Sequence, residues 1–182
     1  MPRIKVPPRG LLEKLEVEDM IQKAGTTRDK CLVVIWYLTG FRISEIINLR
    51  KDIELKIYFD DEDIQVLELE HKPLKKRNRS GIIESHKIFL ELQELPYNNY
   101  IVRHYKDVAK MSRLFPFTRI RAYQIIKKLN SKVWPHLARH TRATHLADQL
   151  DINDLMTFFG WASANQAMKY VKRKPIRGVK LR

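Results

Sequence analysis

The sequence contains one cysteine and no long hydrophobic run. A lone Cys31 cannot form an internal disulfide or a zinc site built from several cysteines. The longest apolar run, residues 31–38, has eight residues, far below the roughly 20 that a membrane-spanning helix needs. The N-terminus also lacks the apolar segment of a secretory signal peptide. We therefore expect a cytoplasmic protein that neither spans nor binds a membrane.

Acidic residues and glycines are also scarce. The chain has 21 acidic against 35 basic residues, which gives a net charge of +14. It has six glycines, and none of them forms a phosphate-binding loop of the P-loop type. A membrane-binding basic helix would need exposed large apolar residues, and the helical patterns here place those residues in a core. The charge therefore indicates a polyanionic partner, and we expect double-stranded DNA.

The length of 182 residues and the hydrophobic content of 44% are typical of one globular domain. Residues 1–10 contain three prolines and indicate a flexible leader or linker stub. Residues 11–175 carry the periodic apolar patterns of the predicted domain. Seven basic and no acidic residues lie between positions 169 and 182. We expect residues 176–182 to form a basic C-terminal tail.

Apolar periodicity predicts helices on both sides of a short β region. The first strongly helical stretch covers residues 29–38 and ends at Gly40, and a second helix begins near Ser44. Residues 89–109 predict a further helix, interrupted near Pro96. Between them, β-type patterns predict three strands, at residues 53–58, 64–69 and 81–83. The pattern indicates an α+β fold that is mainly helical and contains a small three-stranded sheet.

Two basic segments are expected to face DNA. Thr118 is expected to cap a helix over residues 119–129, whose inward face would carry Ile120, Tyr123, Ile126 and Leu129. The cations of this helix, which would lie along a DNA groove, are Arg119, Arg121, Lys127 and Lys128. The basic tip before the third strand contributes Lys75, Lys76, Arg77 and Arg79. A solvated charged surface is the alternative interpretation of the tip.

The segment 134–146 and the turn at Arg42 carry the residues best suited to chemistry. His136, Arg139 and His140 share one face of the helix predicted after Pro135, an arrangement that suits a bound phosphate. Arg42 is expected at a tight turn between two packed helices. The structural alternatives are a basic amphipathic helix with a solvated face and a solvated surface arginine.

Three motifs resemble those of the tyrosine recombinases, the phage integrase family, over roughly residues 10–175. Residues 39–45 read Thr-Gly-Phe-Arg-Ile-Ser-Glu, similar to the first box of that family. Residues 136–141 read His-Leu-Ala-Arg-His-Thr, similar to the second box, with Ala138 where leucine is common. The third box is usually Leu-Gly-His, and residues 159–161 here read Phe-Gly-Trp, with Tyr170 nine positions after Trp161. Other members share the tryptophan. Each box alone is weak, but three in order form a specific signal.

The resemblance implies the catalytic fold of tyrosine recombinases and type IB topoisomerases, with an antiparallel three-stranded sheet. It implies that Tyr170 attacks a DNA phosphodiester and forms a 3′-phosphotyrosyl intermediate, without metal, cofactor or ATP. Arg42 and Arg139 would hold the phosphate. The supporting residues would be Trp161 and His140 within the pocket and Glu45 behind Arg42.

The resemblance also implies how protons move. His136 would assist deprotonation of Tyr170, whose reference pKa of about 10 leaves it neutral at pH 7. A lysine of the hairpin tip would protonate the leaving 5′-oxygen. Lys72 matches that position best, and Lys75 and Lys76 remain alternatives.

The leading interpretation is a site-specific DNA recombinase or integrase that assembles as a dimer to tetramer on its DNA sites. The separate N-terminal domain of typical members has no counterpart in the sequence, so we expect either a catalytic fragment or a minimal member. The main alternative is a non-catalytic DNA-binding relative. A type IB topoisomerase shares the chemistry, but the second box and the spacing favour a recombinase.

Overall fold

The computed structural model describes residues 10–71 and 85–171. Within these residues, no helix is long and apolar enough to cross a membrane. A short 3-10 turn, Leu92–Glu94, links the sheet to the second group of helices. The strands are β1 (Leu55–Phe59), β2 (Gln65–His71) and β3 (His86–Glu91), and the helices are α1 (Lys14–Lys23), α2 (Thr27–Thr39), α3 (Ile43–Ile46), α4 (Asn98–Asp107), α5 (Arg119–Leu129), α6 (Leu137–Leu146), α7 (Ile152–Phe159) and α8 (Ala164–Ala167).

Helix α2 lies at the centre of the core. Residues 31–36 are buried on every side, as expected for a helix that is apolar all round. The helix packs against α1, α4 and α6. The side chain of Thr26 caps its start by accepting a hydrogen bond from the Asp29 amide at 3.1 Å, and Gly40 ends it in the left-handed conformation. The helix predicted over residues 29–38 is thus confirmed, with two more residues at its start and one more at its end.

The sheet has the order β1-β2-β3, and both pairs are antiparallel. Its register aligns apolar residues in rows across the strands, one of them Leu55, Leu69 and Ile88, all of which are buried. Successive residues of a strand point to opposite faces, so one face of the sheet packs on the core. The predicted mainly helical α+β fold with a three-stranded antiparallel sheet is confirmed.

The third strand differs from the prediction. Residues 81–83, where the sequence predicts it, lie outside the described residues, and the strand described there is His86–Glu91. Residues 89–91 are therefore strand, and the prediction of a helix from residue 89 is wrong. Ile88 is buried while Phe89 is exposed, so the alternation of a strand with one buried face decides this segment. The helix itself, α4, begins only after Pro96.

Helix α1 precedes the first helix that the sequence predicts. Glu13 and Glu16 form a capping box at its start. Val17, Met20 and Ile21 are its buried residues, at positions i, i+3 and i+4. A stripe of only three apolar residues gives a weak signal, which is why the periodicity of the sequence does not reveal this helix.

The inward face of helix α5 agrees with the prediction at Tyr123, Ile126 and Leu129 and differs from it at Ile120. Thr118 caps it as predicted, by accepting a hydrogen bond from the Arg121 amide at 3.2 Å. The buried residues are Ala122, Ile125 and Ile126, whereas Ile120 is 67% exposed. The expectation that Ile120 faces inward is therefore wrong, because Ala122 rather than Ile120 occupies the first core position.

Candidate active site

The first box forms a turn that joins α2 to α3. Gly40 has φ +61, and a Cβ at this position would lie 3.0 Å from the Cα of Arg139, so only glycine fits. Arg42 is the N-cap residue of α3. The buried carboxylate of Glu45 accepts hydrogen bonds from the Arg42 amide at 2.7 Å and from its guanidinium at 2.8 Å. The expected support of Arg42 by Glu45 is present.

Arg139 approaches the same carboxylate from α6. Its guanidinium lies 3.9 Å from Glu45 and donates a hydrogen bond of 2.7 Å to the carbonyl of Phe159. The guanidinium carbon also lies 4.9 Å from the ring centre of Phe159 and 5.7 Å from that of Trp161. Burial lowers the pKa of Arg139 to about 10, although the carboxylate of Glu45 favours the charged form. Arg139 therefore remains charged at neutral pH, in one fixed orientation.

Tyr170 is brought to the pocket by α8. The side chain of Ser163 caps this short helix by accepting a hydrogen bond from the Asn165 amide, and the Tyr170 amide donates to the carbonyl of Ala167 at 2.9 Å. The phenol oxygen lies 2.8 Å from Nδ1 of His140. Burial raises the pKa of Tyr170 above its ordinary value, and the charge of Arg139 acts in the opposite direction. The hydroxyl is therefore protonated at neutral pH and hydrogen-bonded to an imidazole.

The resemblance implies that His136 assists deprotonation of Tyr170, and this role stays a prediction. The hydrogen bond described at the Tyr170 hydroxyl involves His140. His136 is the N-cap residue of α6, with φ −108 and ψ 7. It is exposed and lines the same pocket.

His140 is held in a neutral state by its surroundings. Its ring is partly buried and lies 5.0 Å from the ring of Trp134 and 5.6 Å from that of Tyr170. Burial, followed by the charges of His136, Arg139 and Lys169, lowers the pKa of His140 below its ordinary value. A neutral imidazole can accept the proton of the Tyr170 hydroxyl.

The aromatic rings of the third box and of Tyr170 form a stack. The Trp161 ring lies 4.7 Å from the ring of Phe159, at an interplanar angle of 23°, and 5.5 Å from that of Tyr170, at 7°. Trp161 is 9% exposed. The stack fixes the plane of the Tyr170 ring beside Arg139.

These side chains surround one small open pocket of about 150 Å³. It contains all the catalytic and supporting residues expected from the described part of the chain except Glu45, which lies behind the arginines. Its lining residues are Arg42, His136, Arg139, His140, Trp161, Gln166, Lys169 and Tyr170. A larger surface depression, of about 480 Å³, lies between α1 and the end of α5, but its charges are largely paired, as in Lys23 with Asp19 and Lys132 with Glu16. The smaller pocket therefore has the better set of groups for chemistry.

Sequence reasoning missed three residues near Tyr170. Gln166 and Lys169 line the pocket, and Trp134 contacts the ring of His140. Gln166 lies four positions before Tyr170, so helical spacing could have indicated it. Trp134 gave no such signal, because its position against His140 depends on the fold.

The predicted DNA-binding residues are only partly described. Arg119, Arg121 and Lys128 are exposed on α5. Lys127 instead donates a hydrogen bond to the carbonyl of Ser131 and another, of 2.8 Å, to the carbonyl of Val133. It therefore stabilises the segment that follows α5. The residues of the hairpin tip, Lys72, Lys75, Lys76, Arg77 and Arg79, lie outside the described residues. Over residues 10–71 and 85–171, no three His, Cys, Asp or Glu side chains are grouped to hold a metal ion.

Comparison with known proteins identifies the family to which these residues and this fold correspond. The sequence profile of the phage integrase family matches residues 11–176. Transposase A from transposon Tn554 of Staphylococcus aureus is 28% identical over 162 residues, which cover 79% of this chain and 43% of that protein. Tyrosine recombinase XerA of Pyrococcus furiosus is 27% identical over 181 residues, which cover 92% of this chain and 58% of that protein. This chain thus spans about half the length of these relatives.

The fold is also found among solved structures. The crystal structure of XerA recombinase superposes with a TM-score of 0.64 at 20% sequence identity. The superposition covers 91% of this chain and 61% of the XerA chain.

Proposed function

The chain belongs to the phage integrase family, and on this basis we propose that it cleaves and rejoins DNA as a site-specific tyrosine recombinase. The observation that carries the proposal is the Tyr170 hydroxyl, 2.8 Å from His140 at a pocket that Arg42 and Arg139 also line. A nucleophile, a base and two fixed cations are the groups that phosphoryl transfer needs.

In the proposed cleavage step, the phenol oxygen of Tyr170 attacks the phosphorus of a DNA phosphodiester. The new bond joins this oxygen to phosphorus, and the bond from phosphorus to the 5′-oxygen breaks. The phenolic proton passes to Nδ1 of His140, which is neutral because its pKa is lowered. The product is a 3′-phosphotyrosyl link, whose energy serves for rejoining without ATP.

Arg42 and Arg139 stabilise the negative charge that grows on the non-bridging oxygens. Both guanidiniums contact the carboxylate of Glu45, so they are oriented before DNA arrives. Loss of one preorganised donor of this kind typically costs about 10²–10³ in rate. Because the two guanidiniums supply the charge, we expect EDTA to leave cleavage unchanged.

The leaving 5′-oxygen takes a proton from a lysine of the hairpin tip, for which Lys72 is the first candidate and Lys75 and Lys76 are the alternatives. In the reverse reaction a 5′-hydroxyl returns its proton to the lysine and attacks the phosphotyrosyl phosphorus. The bond to the Tyr170 oxygen breaks, and this oxygen takes the proton back from His140. Exchange between sites needs more than one protomer, so we propose assembly as a dimer to tetramer on DNA.

A covalent adduct on nicked suicide DNA tests the proposal. Duplexes that the chain selects from a random library are nicked next to the cleavage position, so that the 5′ fragment is lost and the adduct accumulates. A band of protein bound to DNA on a denaturing gel is the expected result. Tyr170→Phe should abolish it with little change in DNA affinity, whereas Tyr58→Phe, on strand β1, should keep it. DNA binding without an adduct in the wild type would instead indicate a non-catalytic relative.

A further inference from the structure

Trp134 lies against both histidines of the pocket. The centre of its ring is 5.0 Å from that of His140, with the ring planes 41° apart. It is 6.4 Å from the ring centre of His136, with the planes 67° apart. The ring of His140 also contacts the ring of Tyr170, at 5.6 Å. The imidazole that meets the nucleophile therefore has a second aromatic neighbour, from the loop before α6.

The backbone on both sides of Trp134 is held in place by the fold. The carbonyl of Val133 accepts hydrogen bonds from the Lys127 side chain, at 2.8 Å, and from the Tyr123 hydroxyl, at 3.4 Å. The carbonyl of Trp134 itself accepts a hydrogen bond of 3.0 Å from the amide of Leu137. Because Pro135 follows, the backbone of Trp134 is restricted to extended conformations. The position of the indole is therefore set before DNA arrives.

The indole N–H makes no contact that would account for this position. Nε1 of Trp134 is buried and has no hydrogen-bond partner among the described residues. Burial of an N–H group without a partner costs free energy. The contacts with the imidazole rings, rather than a hydrogen bond, are therefore the polar contacts that Trp134 makes at the pocket.

The cover that an aromatic ring provides also affects the charge of His140. Burial is the main cause that lowers the pKa of His140, and neighbouring positive charges add to it. A ring that keeps water away from an imidazole disfavours its protonated form. The other titratable or charged groups near His140, none of which is an acid, are His136 and Arg139 from its own helix, Lys169 and Tyr170 from the segment after α8, and Arg42 from the turn before α3.

We propose that Trp134 is a positioning residue, which holds the ring of His140 in the orientation that meets the Tyr170 hydroxyl and covers this ring from water. This inference rests on the proposed function. Trp134 acts through His140, because its ring contacts the imidazoles and does not line the pocket. The indole thus keeps the base both oriented and neutral.

The pH profile of adduct formation at saturating DNA tests the inference in the full chain. His140 accepts the phenolic proton only when it is neutral, so the rate should fall as pH drops through its pKa. In Trp134→Ser, water reaches the ring and the pKa of His140 should rise toward its ordinary value of about 6.5, so the fall should begin at a higher pH than in the wild type. Above this region the loss of orientation should slow the reaction by about tenfold, a part of the roughly 10²–10⁴ that such a base contributes.

Two variants serve as comparisons. Trp134→Phe should keep the wild-type pH profile and most of the rate, because a phenyl ring can cover the same imidazole. The half-saturating DNA concentration should stay unchanged in both variants of Trp134. Trp36→Phe is the matched control, since Trp36 also has a buried N–H without a partner but has no ring contact with a histidine among the described residues. It should leave the pH profile unchanged.

Two results in this assay would overturn the inference. One is a profile of Trp134→Ser that coincides with that of the wild type, however slow the reaction, because this would leave Trp134 a purely structural role. The other is an equal shift of the profile in Trp36→Phe, which would assign the effect to the loss of any buried indole.

NMR titration of His140 in the DNA-free protein separates this inference from the proposed function. The midpoint should be higher in Trp134→Ser than in the wild type and in Trp134→Phe. This measurement needs no adduct, so an unchanged midpoint overturns the inference even if the chain cleaves DNA. A raised midpoint in Trp134→Ser, with no adduct from the wild type, would reject the recombinase activity alone and support the contact of Trp134 with His140.

Discussion

Among single residues, Lys169 differs from the other cations of the pocket because it does not share the carboxylate that pairs with both arginines. Arg42 and Arg139 both share the carboxylate of Glu45. Lys169 has neither an ion-pair nor a hydrogen-bond partner in the part of the chain that the structure describes. Its charge is therefore available to a bound phosphate. The same charge adds to burial and to the charges of His136 and Arg139 in lowering the pKa of His140.

We predict that Lys169→Gln slows adduct formation at saturating DNA by about tenfold, the low end for a lost hydrogen bond to a charged group. Lys169→Arg should retain most of the rate because it keeps the charge. Lys14→Gln, an equal change of charge on α1, is the control and should have no effect. A normal rate in Lys169→Gln, measured by quenched time points on denaturing gels, would contradict the prediction.

The protonation of His140 is a second prediction for a single residue. Because the folded protein lowers its pKa, the imidazole should titrate below the ordinary value of about 6.5. As pH falls through that value, the unfolded chain binds a proton before the folded chain does. The free energy of unfolding should therefore fall with decreasing pH in this window, and above it His140 should have no effect.

NMR titration of the histidine signals, assigned with a His140→Gln variant, measures this pKa directly. The same variant should reduce the pH dependence of stability near pH 6.5 without abolishing it, because burial also lowers the pKa of His145. A midpoint for His140 at or above about 6.5 would show that the ring is not held neutral.

At the scale of helices, Gly40 determines how closely α6 approaches the end of α2. A Cβ there would lie 3.0 Å from the Cα of Arg139, 3.1 Å from the Cβ of Arg142 and 3.2 Å from the ring of Phe159. The first of these atoms is backbone and cannot rotate away. The separation of the two arginines therefore depends on the absence of a side chain at Gly40.

Gly40→Ala should lower the free energy of unfolding by about 2–4 kcal/mol, from the left-handed backbone and from overpacking. It should also weaken DNA binding, because Arg139 must move. Gly25→Ala is the matched control, since Gly25 has no atom within 4 Å of the added carbon and no positive φ. Denaturant titration should show a change below about 0.5 kcal/mol there. Similar losses in both variants would refute the role of close approach.

Sequence patterns predicted the elements with strong local signals and missed those that depend on contacts. The apolar run of α2, the cap at Thr118 and the turn at Gly40 are each encoded within a few residues. Helix α1 has only three buried apolar residues, and the sequence pattern predicts a helix for residues 89–91, which are the end of β3. Apolar periodicity favours an inward Ile120 because the small Ala122 is a weaker signal for a core position than isoleucine.

The same distinction applies to the pocket. The resemblance of the three motifs to the boxes of the family implies one site for Arg42, Arg139, Trp161 and Tyr170, and these four residues line one cavity. The hydrogen bond between Tyr170 and His140 joins residues 30 positions apart, so no local pattern of the sequence encodes it.

For the molecule as a whole, the net charge of +14 is unevenly distributed. On α1, cations pair with acids, as in Lys14 with Glu18 and Lys23 with Asp19. Helix α5 has no acid at all. The affinity for DNA should therefore come from a part of the surface rather than from the total charge.

We predict that DNA binding depends steeply on salt, and that the cations of α5 cause this dependence whereas those of α1 do not. Replacing Arg119 and Arg121 by Gln should reduce the slope of log K against log salt by about 1.8, because each phosphate contact contributes about 0.9. Lys14→Gln with Lys23→Gln removes the same charge from α1 and should leave the slope nearly unchanged. Fluorescence anisotropy over a salt series measures both, and equal changes in the two double variants would favour total charge over location.

The ring stack at the pocket also allows intrinsic tryptophan fluorescence to report on the site. Of the three tryptophans, Trp161 lies parallel to the Tyr170 ring and Trp134 lies against His140, whereas Trp36 is fully buried in the core. A change in the bonding of Tyr170 or in the protonation of His140 therefore alters the surroundings of two indoles and leaves the third as a constant background. The intrinsic emission of the unlabelled chain can thus follow, in real time, the events that a gel records only after denaturation.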